Sequence, residues 1–199
     1  MLRVGVLGLQ GSIREHCSSL SRIDDVMPYV VKTKDDLDKI SGIILPGGES
    51  TTIGKLMKDF DLEDKLRKRI QEGMPVWGTC AGMILMAKRI VGQDGTYLGV
   101  MDITVRRNAY GSQLDSFKTM GMIPEISDRK ISLVFIRAPW VENVASMVSV
   151  LARVNNNIVA AKSDNMLVTS FHPELTSDLS FHRYFVNMCE EHSKVKKLV

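Results

Sequence analysis

Pro75-Val76-Trp77-Gly78-Thr79-Cys80-Ala81-Gly82-Met83-Ile84-Leu85-Met86-Ala87-Lys88 is the stretch whose reading decides the fold. A short apolar run, Val76-Trp77, precedes Gly-x-Cys-x-Gly, and an apolar segment of helical character follows. That order predicts strand, tight turn and helix with the cysteine at the apex, the thiol counterpart of a nucleophile elbow. Gly78 and Gly82 stand two residues either side of Cys80, where a side chain would crowd the turn. A sulfur at a helix N-terminus meets free N–H groups and a dipole that favour thiolate over thiol. Taken alone, the same motif also suits an inert buried cysteine, the common fate of a free thiol.

The chain upstream repeats the strand–loop–helix order. Residues 3–9 form a β-rich run ending in Gly8-Leu9-Gln10-Gly11-Ser12, and Ile13 to Leu20 reads as a helix capped by Ser12, with Glu15 completing a capping box. The glycine spacing is not that of a dinucleotide site. Val26 to Val31 is a second strand and Lys34 to Lys39 a short polar helix. Gly42 to Leu45 is an unbroken apolar strand, as expected where both sheet faces are covered. It stops at Pro46-Gly47-Gly48-Glu49-Ser50-Thr51-Thr52, where Ser50 or Thr51 can cap a helix through Ile53, Leu56 and Met57. Asp61 to Gln71 is amphipathic, with Leu62, Leu66 and Ile70 on one face and Gly73 at its end. Such alternation predicts a parallel sheet with helices on both sides, and ligands in such sheets sit beyond the strand C-termini. The Gly47-Gly48 loop and Cys80 should therefore face one crevice.

From Leu98 the pattern changes to short β-rich runs: Leu98 to Arg106, Gln113 to Met120, Ile131 to Ile136, Val148 to Val154, Ile158 to Lys162 and Met166 to Ser170. Little helix separates them, so pairing here should be partly antiparallel. Asn155-Asn156-Asn157 suits a hairpin turn, because Asn tolerates the left-handed conformation. Tyr184 to Cys189 belongs to a closing helix, and Lys194 to Lys197 reads as a solvated tail. With no linker or repeat, residues 1–199 are expected to form one domain.

Composition bounds the rest. In 199 residues, 44% hydrophobic and 25% charged, the balance is that of a globular protein with a core of its own. A net charge of +3 without a basic aromatic stripe argues against a nucleic-acid partner. No stretch approaches a membrane span, and the N-terminus lacks the shape of a signal peptide. Cys17, Cys80 and Cys189 are odd in number and widely spaced, which fits a reducing cytoplasm rather than a disulfide framework. No clustered His/Cys pattern suggests a metal. Of the twelve methionines, Met83, Met86, Met120 and Met122 read as adaptable core filler.

A thiol nucleophile needs a base. His172 follows the apolar strand ending at Phe171, Pro173 stops that strand, and Glu174 lies two residues beyond the histidine. His-x-Glu places a carboxylate where it can receive the imidazole N–H, fix its tautomer and support the imidazolium. His16, His182 and His192 have no comparable setting and read as helix-surface or core residues.

Gly78-Thr79-Cys80-Ala81-Gly82, Phe171-His172-Pro173-Glu174 and the Pro46–Thr52 loop resemble the class I (triad) glutamine amidotransferases. Gly8-Leu9-Gln10-Gly11, Arg14-Glu15-His16, Gly-Gly-Glu-Ser-Thr-Thr and Asp115-Ser116-Phe117 narrow the resemblance to the family of glutaminase subunits of pyridoxal 5′-phosphate synthase, end to end. The resemblance implies a flavodoxin-like, three-layer α/β/α fold with a central, mostly parallel sheet. It implies hydrolysis of L-glutamine to glutamate and ammonia, with the ammonia passed to a synthase subunit and no cofactor in this chain. It assigns Cys80 as nucleophile, His172 as general base and then acid, Glu174 as its orienter, and the N–H groups of Gly48 and Ala81 as the oxyanion hole. Glutamine contacts map onto Gly47, Gly48, Glu49, Arg107, Ile136 and Arg137. Activity in isolation should be weak until the partner reorients the Gly47-Gly48 peptide. Ser112 departs from the arginine that many members carry, and Arg106 beside Arg107 leaves the substrate arginine open between them. Another triad glutaminase, serving histidine or purine synthesis, is the alternative on the same chemistry; a cysteine peptidase and a silent binding subunit fit the motifs less well.

Overall fold

In the computed structural model, residues 1–109 and 116–196 are described. Five strands build the parallel heart of the sheet: β1 (Leu2–Leu7), β2 (Val26–Val31), β3 (Gly42–Leu45), β4 (Val76–Thr79) and β12 (Met166–Thr169), in the order β2-β1-β3-β4-β12. Beyond β12 the sheet continues through β11 (Asn157–Ser163), β9 (Trp140–Val144), β6 (Met101–Arg106) and β5 (Ala87–Ile90). The β12–β11, β11–β9 and β9–β6 pairs are antiparallel, and β6–β5 is parallel again. β10 (Ser149–Val154) forms a hairpin with β11 through Asn155 and Asn156, whose φ values of 49° and 65° meet the left-handed demand of the turn. β7 (Ser116–Gly121) and β8 (Ile131–Ile136) pair separately as an antiparallel ribbon. The mostly parallel sheet with antiparallel strands in the C-terminal half is the arrangement the sequence predicts.

Side chains alternate across the strands, and both faces are dry. Ile43, Leu45 and Val76 join one cluster beneath α2 (Ser50–Asp59), α3 (Glu63–Gln71) and α4 (Ala81–Met86), which contribute Ile53, Met57, Leu66, Ile70 and Met83. Ile44, Trp77 and Leu167 join the other, beneath α1 (Ile13–Leu20) and α5 (Ser180–Lys196), with Leu20, Phe181 and Phe185. Trp77 is fully buried and donates its indole N–H to Thr169 Oγ1 at 3.2 Å.

Several local expectations are corrected. Ser12 and Glu15 form no capping box: the Ser12 hydroxyl is drawn to Glu174, while Thr33 and Asp36 make a capping box on the 3-10 helix Lys34–Lys39. The N-cap of α2 is Glu49 without a side-chain cap, because Ser50 already lies in the helix. The elbow helix ends at Met86, and Ala87 and Lys88 enter β5, where pairing with β6 overrides helix propensity. β9 is a strand that the sequence reading omits. Lys194 and Val195 continue α5 rather than forming a tail. Met120 and Met122 are exposed, whereas Met83 and Met86 are core. Ser112, Asp115 and the first three residues of the predicted run from Gln113 lie outside the described residues. Among the described residues no helix is long and apolar enough to cross a membrane.

Candidate active site

The chain leaves the C-terminal ends of β1, β3, β4 and β12 on one edge, and the four loops enclose a cavity of roughly 380 Å³. That is the small end of the usual ligand range of about 300–1,000 Å³. β1 and β3 are neighbours whose following helices lie on opposite sheet faces, so the crevice opens where their loops part. The loops touch at its floor: Ser12 N–H donates to the Gly47 carbonyl at 3.0 Å, and Glu49 N–H donates to Gln10 Oε1 at 2.8 Å. A Cβ on Gly11 would stand 1.9 Å from that Gly47 oxygen, so the approach demands glycine.

Cys80 sits at the N-cap of α4 with φ 48° and ψ −102°, a left-handed conformation that a non-glycine residue holds only when its surroundings impose it. Three contacts impose it. Its N–H donates to Thr169 O at 2.8 Å. A Cβ on Gly78 would meet the Gly82 carbonyl at 2.5 Å, and one on Gly82 would meet the Leu45 oxygen at 2.1 Å. The turn is thus wedged between β3 and β12, and the sulfur points at the cavity 3.9 Å from the Ile136 carbonyl. Asn108 and Arg137, also in the wall, carry φ values of 44° and 43°. The cavity is lined by the strained backbone of three elements.

His172 reaches the cavity from the end of β12, its N–H anchored on Val134 O at 2.8 Å, and its ring is within hydrogen-bond reach of Cys80. On the far side, Nδ1 lies 2.7 Å from Glu174 Oε1, which also accepts the Ser12 hydroxyl at 2.7 Å. Burial opposes charge on the His172 ring, but hydrogen bonds to Cys80 and Glu174 and the carboxylate's attraction outweigh it and raise the pKa to about 10. Burial likewise works against ionised Glu174, yet the neighbouring His16 and His172 and the bonds from His172 and Ser12 bring it down to about 2. His172 thus sits between a sulfur and a carboxylate, surroundings that favour its charged form.

Every residue expected at the site lines this cavity except Glu174, which stands behind His172: Gly47, Gly48, Glu49, Cys80, Ala81, Arg107, Ile136, Arg137 and His172 all contribute. Arg107, not Arg106, turns inward. Its guanidinium meets Glu49 Oε1 at 3.2 Å, while Arg106 pairs with Glu142 on the outer sheet face. Four residues that shape the site, two of them behind its wall, carry no site role in the sequence reading. Gln10 and Ser12 brace the Gly47-Gly48 loop and Glu174. Thr79 Oγ1 accepts the Gly47 N–H at 3.0 Å, and buried His16 lies against it. The rule that ligands gather at strand C-termini would have found the β1 loop, because Gln10 follows an apolar strand just as Gly47 does. Among the described residues no group of acidic, His and Cys side chains could hold a metal.

A doubly wound sheet with a cysteine elbow, a histidine and a carboxylate converging at its strand ends defines the class of cysteine-dependent α/β proteins. Comparison with known proteins narrows this. The SNO glutamine amidotransferase family matches residues 6–191, and the chain belongs to that family. It is 61% identical over 187 residues to the pyridoxal 5′-phosphate synthase subunit PdxT of Clostridium botulinum, covering 94% of this chain and 97% of that protein. The PdxT of Ruminiclostridium cellulolyticum is 58% identical over 188 residues, with 94% and 100% covered. A crystal structure of a glutamine amidotransferase superposes with a TM-score of 0.89 at 43% identity, over 94% of this chain and 98% of that one.

Proposed function

We propose that the chain acts as one glutaminase domain, the ammonia-producing subunit of a pyridoxal 5′-phosphate synthase, working in the cytoplasm. The observation that carries the proposal is the His172 ring, seated between Cys80 and Glu174 at the edge of a cavity that also presents Arg107. Glutamine enters with its α-carboxylate toward the guanidinium of Arg107, a bidentate donor suited to it, and its amide toward Cys80. Glu49, Arg137 and the Ile136 carbonyl offer polar atoms for the α-amino end and the chain between. The Cys80 thiolate forms a C–S bond to the amide carbon, and the tetrahedral oxyanion turns toward the N–H groups of Gly48 and Ala81. Each such donor is commonly worth about 3–4 kcal/mol. His172 gives its Nε2 proton to the amide nitrogen, the C–N bond breaks, and ammonia leaves. Water then adds to the glutamyl thioester as His172 takes one of its protons, the C–S bond breaks, and glutamate departs with the thiolate restored. No step calls for a cofactor.

The Gly47 carbonyl is tied to Ser12 N–H and the Gly47 N–H to Thr79, so turning the Gly47-Gly48 peptide toward an oxyanion breaks the first of these bonds. Docking of the synthase near the β1 loop supplies that change. The test is ammonia release from glutamine with and without purified synthase, followed by detection of pyridoxal phosphate. Turnover should rise on adding synthase and vanish in Cys80→Ala. Ammonia release by Cys80→Ala would end the nucleophile reading, and equal turnover without synthase would end the partner-gated one.

A further inference from the structure

His16 and His182 are fully buried beside the triad, and the reaction as written uses neither. His16 Nδ1 lies 3.0 Å from His182 Nε2, and His16 Nε2 lies 3.2 Å from Thr79 Oγ1 and 3.5 Å from Glu174 Oε2. Trp77 seals the pair, its ring centroid 5.0 Å from that of His182 and 5.6 Å from that of His16, both edge-on.

The partners decide the tautomers. A proton on His182 Nδ1 would be a buried donor with no acceptor, since that atom makes no hydrogen bond among the described residues; an unused lone pair there is far less costly. His182 therefore carries its proton on Nε2 and donates to His16 Nδ1. His16 in turn carries its proton on Nε2, toward Thr79 and Glu174. Burial disfavours charge on both rings; at His16 it outweighs the attraction of Glu174, and repulsion from His172 adds to it, so both rings are pushed toward their neutral, N–H-donating forms. Glu174 Oε1 is saturated by Ser12 and His172, while Oε2 is buried and makes no hydrogen bond of its own among the described residues. The His16 Nε2–H bonds Thr79 Oγ1, and the same nitrogen stands 3.5 Å from that open side of the carboxylate.

We propose that His16 is a positioning residue of the glutaminase: its Nε2–H, oriented by His182, fixes the Glu174 carboxylate against His172 and, through Thr79, ties the triad to the Gly47 N–H. The consequence is a row of buried side chains from α5 to the site, His182 hydrogen-bonded to His16, His16 in electrostatic contact with Glu174, and Glu174 hydrogen-bonded to His172. Without the His16 donor the carboxylate loses a fixed dipole in a site of low dielectric, where such dipoles count most, and the imidazolium loses support.

This inference rests on the triad reading, and one set of assays separates the two. Glutamine hydrolysis is measured with synthase present for the wild type and for His16→Leu, His16→Gln, His16→Asn and Cys80→Ala across pH. Groups facing the His172–Glu174 pair are Cys80 and His16 directly, with His182, Glu15 and Arg22 behind them. Glu49, Arg107 and Arg137 stand across the cavity and are unchanged in every variant. His16→Leu should lower kcat by about 10- to 100-fold, the range found for outer partners that orient a working ligand, with KM nearly constant. Its alkaline limb should move to lower pH, because the imidazolium is held less firmly. His16→Gln, which places an amide N–H near the Nε2 position, should recover most of the rate and the limb. His16→Asn, which reaches only as far as Nδ1, should not. If His16→Leu does not fold, the Gln and Asn variants decide by the same two readouts. Equal rates and equal limbs for Gln and Asn, or a loss that merely follows the folded fraction with the limb unmoved, would overturn the role of His16. Persistent ammonia release by Cys80→Ala would instead overturn the triad reading beneath it.

Discussion

His172 Nδ1 lies 2.7 Å from Glu174 Oε1, and one proline separates the two residues in the chain. His172 is extended at the strand end (φ −110°, ψ 86°), and Pro173 opens a 3-10 turn, Pro173–Leu175, that folds the carboxylate back behind the ring. Proline suits that position because its N–H would have no partner there and its φ is already helical. The orientation of the base is therefore a local property of four residues. Their contact with Cys80 is not, and depends on β12 lying beside β4.

Replacing Glu174 by Gln keeps the shape and removes the charge. The His172 ring, now held up to a pKa of about 10 by Cys80 and Glu174 against burial, loses its carboxylate partner. The alkaline limb of kcat/KM should shift to lower pH, and kcat should fall by as much as about 10⁴-fold, the loss seen when the orienting carboxylate of a triad is made an amide. A pH–rate profile in the presence of synthase checks both. An unmoved limb would remove Glu174 from the role assigned to it.

Arg107 pairs with Glu49 in the cavity rim, and its guanidinium is the group suited to the α-carboxylate of glutamine. Arg107→Met should raise KM by roughly 10- to 100-fold, the equivalent of about 1.5–3 kcal/mol for a charged hydrogen bond, with a smaller change in kcat. Arg106→Met, outside the cavity, should leave KM within twofold. Steady-state kinetics on the two variants separates them.

Gly82→Ala would place a Cβ 2.1 Å from the Leu45 carbonyl oxygen, a backbone atom of a central strand that cannot yield. Overpacking of this kind costs about 1–3 kcal/mol. The urea midpoint should fall accordingly. Labelling of Cys80 by an electrophilic glutamine analogue should slow as well, because β3 and α4 must part.

The buried histidines make stability depend on pH in opposite senses. His182 has its pKa lowered to about 3, chiefly by burial. Between about 3 and the ordinary value of 6.5 the unfolded chain binds a proton that the folded chain refuses, so stability falls as pH falls through that window. The slope is about 1.4 kcal/mol per pH unit for one such proton. His172, raised to about 10, contributes stability fully present below 6.5 and lost as pH climbs toward 10. Glu174, lowered to about 2, contributes above 4.5 and loses its share as pH falls toward 2. His182→Asn should flatten the pH dependence of chemical unfolding between 3 and 6.5. An unchanged acid slope would show that His182 titrates normally in the folded protein.

By itself the sequence determined what is local or periodic: the apolar runs of β1, β3 and β4, the elbow glycines flanking Cys80, the proline-linked His172 and Glu174, and the Asn turn of the β10–β11 hairpin. Residues close in the chain reach only a few arrangements, and glycine and proline narrow these further. The tertiary structure alone decided whatever needed distant segments to meet. It turned the Ser12 hydroxyl from its helix to Glu174, 162 residues away, chose Arg107 over Arg106, and carried Ala87 and Lys88 into a strand. It also set His16 and His182 beside the triad. Nothing in a helix pattern marks those two histidines, because their neighbours belong to β4, the 3-10 turn and each other's helices. Cys80 could be recognised from its glycines; the histidine and carboxylate after β12 and the Gly47-Gly48 loop after β3 reach it only once the sheet has ordered those strands beside β4.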